Sequence, residues 1–189
     1  MKTKQSIRNS IVTQRRALDP ILQCNANKSI IQQIITLPDW KDSKNIALYI
    51  AIGGEINIMD ITQQQDKRWF LPRIITKPCN ALEFIHYSPK DSTLVKNKFG
   101  ILEPAASLLS QSIPAELLDI IFVPLVAYDA NYNRLGMGCG FYDRTLAFTK
   151  TNKNAQQPRL IGLAHAFQKV EELPIDPWDI PLDTVLQAD

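Results

Sequence analysis

The stretch IIFVPLVAYDANYNRLGMGCGFYDRTLAFT, residues 120–149, contains the pattern that decides the fold. Its apolar start, Ile120–Tyr128, predicts a buried strand, and a helix is predicted from Tyr142 to Thr149. The loop between them carries three of the seven glycines of the chain. A strand followed by a glycine loop and a helix is typical of proteins that alternate strands with helices.

The rest of the chain continues this alternation. Further strands are predicted at Asn45–Ile52, Arg68–Ile74, Ala81–Tyr87, Arg159–Ala166 and Thr184–Leu186, and a further helix at Ile56–Gln65. Short apolar runs of this kind indicate strands that are buried on both faces of a sheet. We therefore expect an α/β fold with three layers, α/β/α, in which the central sheet is largely parallel.

Helical spacing dominates the beginning of the chain. An apolar stripe, whose members lie within about 40° of one another on a helix, is formed by Ile7, Ile11 and Leu18. A basic stripe beside it is formed by Lys4, Arg8 and Arg15. The first helix is predicted to end at Asp19–Pro20, and a second to run to about Leu37. We expect residues 1–38 to be a helical segment packed on a single domain that spans residues 1–189.

The composition argues against several classes of protein. The chain has 189 residues, 45% of them hydrophobic, with 21 Lys and Arg against 19 Asp and Glu. A formal net charge of +2 gives no general attraction to nucleic acid or to an anionic membrane. The opening MKTKQSIRNS lacks the apolar core of a signal peptide, and the longest apolar run is far below the roughly 20 residues of a spanning helix. We expect no nucleic-acid or membrane partner.

The cysteines and histidines indicate the cellular setting. Cys24, Cys79 and Cys139 are an odd number and form no C-x-x-C pair. A disulfide framework is therefore not expected, and a reducing, cytoplasmic setting is. Because His86 and His165 are the only histidines, a His-rich zinc site is not expected either.

The segment NRLGMGCGFYDR, residues 133–144, carries the strongest chemical signal. Alternating glycines let a backbone approach a ligand closely with several N–H groups, and a helix start adds a positive dipole end. Arg134 and Arg144 bracket the loop with charges that can pair with phosphate oxygens. Asp143 supplies the hard oxygen ligand that Mg²⁺ beside a triphosphate prefers. The loop favours a phosphate site, although a plain glycine turn with Asp143 capping a helix fits the same residues.

A second candidate is Glu55, which follows Gly53 and Gly54 at the end of the predicted strand Asn45–Ile52. In open α/β sheets, ligands lie at the carboxyl ends of strands. A carboxylate there can accept hydrogen bonds from an amino-substituted heterocycle, while a plain loop fits the pattern equally well. The basic stripe is open in the same way, since it can reach inward to an anion or remain a solvated helix face.

Carboxylates in the tail of the chain are candidates to complete a magnesium site with Asp143. They are Asp176, Asp179 and Asp183. Acidic surface loops are common, so the tail alone does not decide which of the three takes part.

Taken together, these residues resemble the 5-formyltetrahydrofolate cyclo-ligase family. Its hallmark is a strand ending near a proline and then R-L-G-x-G-x-G-[FY]-Y-D-R, which here is Pro124 followed by Arg134–Arg144 with no departure. Other family-like features occur in order along nearly the whole chain. They are K-x-x-x-R at Lys4 and Arg8, Y-x-x-x-x-x-E at Tyr49 and Glu55, L-P-R at Leu71–Arg73, G-I-L-E-P at Gly100–Pro104, and the I-G-L-A, L-P and D tail.

The resemblance implies a fold like that of sugar-phosphate isomerases and CoA transferases, and it implies a reaction. Members of the family use MgATP to convert 5-formyltetrahydrofolate into 5,10-methenyltetrahydrofolate, releasing ADP and phosphate. Phosphorylation of the formyl oxygen would let a neighbouring nitrogen close the ring as phosphate leaves. Such catalysis needs positioning and charge neutralisation rather than a side-chain nucleophile. We expect a monomer with ATP and 5-formyltetrahydrofolate as substrates and Mg²⁺ as cofactor.

The resemblance also implies a role for each matching position. ATP would be bound by Lys4, Arg8, Arg134, Leu135, Gly136, Met137, Gly138, Cys139, Gly140, Phe141 and Tyr142. The folate would be bound by Ile50, Glu55, Met137, Gly138, Cys139, Gly140 and Phe141. Catalytic roles would fall to Arg134, Tyr142 and Arg144, and Mg²⁺ binding to Asp143 and Asp179. Trp178 stands where the family has a polar residue or His before the second aspartate, so Asp176 or Asp183 are alternatives to Asp179.

Two other functions are compatible with such a fold. A non-catalytic folate- or nucleotide-binding protein would predict loss of Arg134, Asp143 or Glu55, and all three are present. A sugar-phosphate isomerase or acyl-CoA transferase would lack the R-L-G-x-G-x-G-[FY]-Y-D-R run. The sequence therefore favours the cyclo-ligase, with the binding protein as the alternative.

Overall fold

The computed structural model describes residues 3–76, 80–90, 92–151 and 157–188, so that Cys79 lies outside the described residues. The α-helices of these ranges are α1 Lys4–Arg16, α2 Pro20–Ile35, α3 Phe141–Thr145 and α4 Phe148–Thr151. The strands are β1 Asn45–Ala47, β2 Arg68–Ile75, β3 Ala81–Tyr87, β4 Leu94–Lys96, β5 Leu102–Pro104, β6 Ser112–Ile113, β7 Ile120–Val123, β8 Ala127–Tyr128, β9 Arg134–Leu135, β10 Arg159–His165 and β11 Thr184–Ala188. None of the described helices is long and apolar enough to cross a membrane.

Seven strands form one mixed sheet in the order β11-β10-β7-β1-β2-β3-β6. The five strands from β11 to β2 pair in parallel, whereas β3 and β6 join antiparallel. The short connection between β2 and β3 explains the change of direction, because parallel neighbours need a long crossover. The prediction of an α/β fold with a largely parallel sheet is confirmed.

Both faces of the sheet are buried. Ile120 and Phe122 of β7 point into one core, which α2 covers, and Ile121 and Val123 point into the other. Full burial on both faces is what the continuous apolar runs indicated. The first core also holds Trp40 and Trp69, whose ring centroids lie 6.2 Å apart.

The structure corrects several predicted elements. The strand predicted at Asn45–Ile52 pairs only over β1, and one further bond joins Leu48 N–H to the Phe70 carbonyl at 2.9 Å. The helix predicted at Ile56–Gln65 is a single 3₁₀ segment, Met59–Gln63. Leu48, Tyr49, Ile56 and Ile58 are buried in irregular backbone, so burial rather than regular structure produced much of the pattern. The helix predicted at Tyr142–Thr149 is split into α3 and α4.

The first helix packs beside the glycine-rich segment. Thr3 caps α1 by accepting a hydrogen bond from Ser6 N–H at 3.1 Å, as residues of its type do at helix starts. Ile7 and Ile11 share a small core with Leu135 of β9. This contact sets the basic stripe of α1 against the residues that follow β9.

Candidate active site

The glycine loop runs from Gly136 to Gly140, between β9 and α3. Gly138 and Gly140 have φ angles of +97° and +66°, which residues with a Cβ rarely adopt. The backbone N–H groups of residues 136–140 donate to no other described residue. They are free to meet a ligand, and since α3 has only five residues, these N–H groups matter more than a helix dipole.

Two side chains of α1 reach this loop. Arg8 Nε donates to the Gly136 carbonyl at 2.8 Å, and its guanidinium lies 3.5 Å from where a Cβ of residue 138 would be. Lys4 Nζ contacts Asp176 at 2.7 Å and Asp179 at 2.8 Å. The basic stripe is therefore directed at the loop and at the tail rather than into solvent alone.

Arg134 and Asp143 form a shielded ion pair across the loop. Their atoms Nη2 and Oδ1 lie 2.7 Å apart, and the Arg134 side chain is only 4% exposed. The buried Nε of Arg134 has no partner among the described residues. Asp143 also accepts a hydrogen bond from Ile180 N–H at 3.2 Å, which brings it next to the backbone that carries Asp179.

These carboxylates have the chemistry that Mg²⁺ requires. No group of three or more His, Cys, Asp or Glu side chains in the described ranges is arranged to hold a metal by itself. Mg²⁺ commonly takes only one or two carboxylates and completes its shell with water and substrate phosphates. Asp143 and Asp179 supply two carboxylates of this kind. In the structure Lys4 and Arg134 are the cations that balance their charge.

A second group of polar side chains lies around Glu55. Burial raises the pKa of this carboxyl, and the charge of Arg15 opposes the rise. The Tyr142 hydroxyl is buried without a described hydrogen-bond partner, and burial raises its pKa strongly. Glu55 also raises the pKa of Tyr142 and of Tyr49, so the three groups belong to one neighbourhood. Tyr142 thus connects the glycine loop with Glu55.

The turn that carries Glu55 is held by two further side chains. Arg15 Nε donates to the Gly53 carbonyl at 2.8 Å, and its Nη1 lies 3.5 Å from Glu55 Oε1. His165 of β10 lies 3.2 Å from the Gly54 carbonyl through Nε2. Helical spacing placed Arg15 on the basic stripe but not in the site, and no pattern in the sequence indicated a role for His165.

The remaining predicted residues lie around the loop. Met137 and Cys139 are exposed on it, and Phe141 contacts Phe99 edge-on at 6.0 Å. Arg144 donates to the Asn80 and Cys139 carbonyls, so its guanidinium now braces the loop backbone. The other two predicted residues are Leu135, which is buried, and Ile50, which is half-buried against the first core.

The three aspartates of the tail, Asp176, Asp179 and Asp183, lie in two different places. Asp176 shares Lys4 with Asp179 beside the loop. Asp183 instead accepts a hydrogen bond from Leu160 N–H at 2.7 Å, at the amino end of β10 and so at the opposite edge of the sheet. This placement favours Asp176 and Asp179 over Asp183 as neighbours of Asp143.

An α/β sheet with a cation-lined glycine loop and carboxylates at the carboxyl ends of its strands is an arrangement suited to an enzyme that acts on phosphate-bearing substrates. The sequence model of the 5-formyltetrahydrofolate cyclo-ligase family matches residues 1–188. The chain is 40% identical to the 5-formyltetrahydrofolate cyclo-ligase of Haemophilus influenzae over 188 residues, covering 97% of this chain and 96% of the relative. It is 37% identical to the Escherichia coli K12 enzyme of that name, with 91% and 93% covered.

Solved structures agree with these relatives. The NMR structure of Aquifex aeolicus 5,10-methenyltetrahydrofolate synthetase superposes with a TM-score of 0.80 at 31% identity, covering 97% of this chain and 89% of that one. A 5,10-methenyltetrahydrofolate synthetase from Mycoplasma pneumoniae gives 0.74 at 28% identity, with 97% and 98% covered. The chain belongs to the 5-formyltetrahydrofolate cyclo-ligase family and is an enzyme of it, which confirms the resemblance found in the sequence.

Proposed function

We propose that this enzyme uses MgATP to convert 5-formyltetrahydrofolate into 5,10-methenyltetrahydrofolate, with release of ADP and phosphate. The observation that supports the proposal best is the glycine loop with its unbonded N–H groups, set between Arg8 and Arg134. It provides donors for a polyphosphate on one side, and Tyr142 connects it to Glu55 on the other.

ATP is held by the loop from Arg134 to Tyr142 and by Lys4 and Arg8 from α1. Backbone N–H groups and guanidinium groups are suited to phosphate oxygens, and both occur here on a fixed scaffold. Because Lys4 and Arg134 already contact carboxylates, phosphates would enter an existing network of alternating charge.

The folate is held on the other side of the loop. Glu55 accepts hydrogen bonds from the amino-substituted pterin ring, Ile50 lines that side, and residues 137–141 border the substrate from the loop. The half-exposed Met137 is free to cover an aromatic ring, because 57% of its surface is accessible.

The chemistry joins these two halves. The formyl oxygen attacks the γ-phosphorus, an O–P bond forms, and the bond from that phosphorus to ADP breaks. A neighbouring folate nitrogen then attacks the activated carbon, phosphate leaves with the former formyl oxygen, and the proton of that nitrogen passes to the departing phosphate or to water. Arg134 and Arg144 stabilise charge on the transferred group, while Tyr142 orients the substrate.

Asp143 and Asp179 are the residues that would hold Mg²⁺, with Asp176 beside them. The ion would neutralise phosphate charge during transfer. Lys4 balances Asp176 and Asp179 until that charge arrives. We further infer a single-domain, monomeric, cytoplasmic enzyme with no nucleic-acid or membrane partner, as the nearly neutral net charge favours.

The test is the absorbance of the methenyl product during incubation of purified protein with 5-formyltetrahydrofolate, ATP and Mg²⁺. The expected result is a rise that stops when either ATP or Mg²⁺ is left out. A folded protein that binds both ligands, measured by calorimetry, but gives no product would contradict the proposal and favour a binding protein. Size-exclusion chromatography of the same sample tests the monomer.

A further inference from the structure

We infer that Arg15 is a positioning residue for Glu55, fixing both the orientation of its carboxylate and its ionised form for the folate. The inference rests on the substrate role proposed for Glu55. Arg15 lies on α1, three turns beyond Lys4, and neither the resemblance nor the glycine loop assigns it a role. Its side chain is 2% exposed, so its charge has no access to solvent and must be balanced within the protein.

The contacts of Arg15 all lead to the turn at residues 53–55 or to the strand end beside it. Nε donates to the Gly53 carbonyl at 2.8 Å, and Nη1 donates to the Leu125 carbonyl at 3.3 Å. These two anchors fix the guanidinium, and Nη1 lies 3.5 Å from Glu55 Oε1. The other oxygen, Oε2, accepts a hydrogen bond from Ile52 N–H at 3.0 Å. The carboxylate is thus held from both sides.

Helix α1 packs tightly on the turn at residues 53–55. A Cβ on Gly54 would lie 2.5 Å from the Arg15 carbonyl oxygen, so the backbone of the turn rests directly on that of the helix. His165 contacts the Gly54 carbonyl from the opposite side. A shift of Arg15 therefore moves the turn, and with it Glu55.

The charge of Arg15 is as important as its anchors. Charged or titratable groups that face Glu55 or its turn come from four elements. They are Arg15 and Arg16 of α1, Tyr49 after β1, Tyr142 of α3 and His165 of β10. Burial raises the pKa of Glu55, and the charge of Arg15 lowers it. Without that charge, Glu55 needs a higher pH to ionise.

The experiment compares Arg15→Gln, Arg15→Lys and the control Lys28→Gln in the full chain. Lys28 is an exposed cation on the neighbouring helix α2. Steady-state rates are measured with each substrate varied, across a range of pH. For R15Q we expect the KM for 5-formyltetrahydrofolate to rise about ten-fold and the acid limb of its kcat/KM profile to move to higher pH, because Glu55 loses the charge that lowers its pKa. The KM for ATP should change less than about two-fold, since the phosphate side is untouched.

The lysine variant separates charge from geometry. R15K keeps a positive charge but loses the planar guanidinium with its two anchoring N–H groups. The acid limb of its kcat/KM profile should therefore stay near that of the wild type, while the folate KM still rises. In a Glu55→Gln background, R15Q should add little, because the two residues act together. If R15Q does not fold, R15K and R15K/E55Q provide the same comparison.

Three outcomes would overturn the role of Arg15. They are a folded R15Q enzyme with the folate KM and pH profile of the wild type, an equal rise of both KM values, and full additivity with E55Q. In each of them the wild type still forms methenyl product, so the proposed function stands. Failure of the wild type to form product contradicts the proposed function instead.

Discussion

The starts of the parallel strands form what we call the amino edge of the central sheet, and the ends of these strands form its carboxyl edge. Several charged residues at the two edges differ in the kind of group that they contact. At the amino edge, Lys67, Asp119 and Asp183 each stand directly before a strand, and each bonds to backbone groups. Lys67 Nζ donates to the Ser43 carbonyl at 2.9 Å, and Asp119 accepts from Lys44 N–H at 2.7 Å. These charged groups are hydrogen-bonded to the backbone and stabilise the fold.

At the carboxyl edge the charges face one another instead. Arg134 pairs with Asp143 and Lys4 with Asp179, while the Tyr142 hydroxyl and the N–H groups of the loop lack described partners. A buried polar group left without a partner costs stability, and beside the glycine loop the Tyr142 hydroxyl and Arg134 Nε are two such groups that a ligand can satisfy. Lys67, Asp119 and Asp183 are thus bonded into the backbone, whereas Arg134–Asp143 and Lys4–Asp179 are side-chain pairs that a charged ligand can rearrange.

The largest expected effect compares two aspartates on opposite edges. Asp143→Asn should lower kcat by about a hundred-fold or more, because it removes charge at the phosphate side of the site. Asp183→Asn should leave kcat unchanged and lower the free energy of unfolding by about 1 kcal/mol, since Asp183 holds only Leu160 N–H. Product absorbance and thermal unfolding of both variants check this. Equal losses of activity would remove the distinction between the edges.

Lys67 tests the amino edge alone. Lys67→Met should lower the free energy of unfolding by about 3 kcal/mol, because the carbonyls of Trp40 and Ser43 lose a buried charged donor. Lys44→Met is the matched control, since its side chain is 57% exposed and its contact with Asp66 is 3.9 Å long. Urea unfolding measures both. A K67M enzyme with normal stability but impaired turnover would contradict the structural role.

Two glycines with positive φ compare a turn at the carboxyl edge that packs on α1 with an exposed turn elsewhere. Gly54→Ala should cost about 2 kcal/mol of stability and raise the folate KM, because the new Cβ meets the Arg15 carbonyl. Gly100→Ala has the same kind of φ, +76°, but open space, so only the backbone strain of about 1 kcal/mol remains. Thermal unfolding and folate kinetics distinguish the two. Identical effects would mean that the contact with α1 is not tight.

The smallest effects concern two tyrosines whose hydroxyl groups are buried. Tyr142→Phe should leave stability unchanged or slightly raised, because its hydroxyl has no described partner, while turnover falls several-fold. Tyr49→Phe should lower stability by about 1 kcal/mol, because its hydroxyl donates to the Ile56 carbonyl at 2.8 Å. Unfolding curves and kcat for each variant check that Y142F loses turnover but not stability, whereas Y49F loses stability. A marked loss of stability in Y142F would reveal a partner for that hydroxyl.

Much of the fold could be predicted from apolar runs alone. Strand β3 has the predicted bounds, Ala81–Tyr87, and β10 ends one residue before its predicted end. The apolar runs gave wrong elements where buried residues such as Leu48, Ile56 and Ile58 lie in irregular backbone, because burial and strand pairing produce the same apolar pattern.

The site could be predicted only as far as local motifs reach. The R-L-G-x-G-x-G-[FY]-Y-D-R run identified the loop because its residues are neighbours in sequence. Helical spacing put Arg15 on the basic stripe but did not say which guanidinium turns inward, since that depends on where Gly54 packs. Asp179 and Asp183 look alike in the sequence, and only the sheet places them at opposite edges.

The ion pairs of Lys4 have a consequence for the kinetics of folding. They join residues separated by 172 and 175 positions, so they form only after nearly the whole chain has been brought together. Trp40 and Trp69, by contrast, pack within the first core and report on its formation. During refolding, core fluorescence should therefore recover before activity does. A fragment that ends before Asp176 lacks Asp176 and Asp179, so it cannot form these ion pairs.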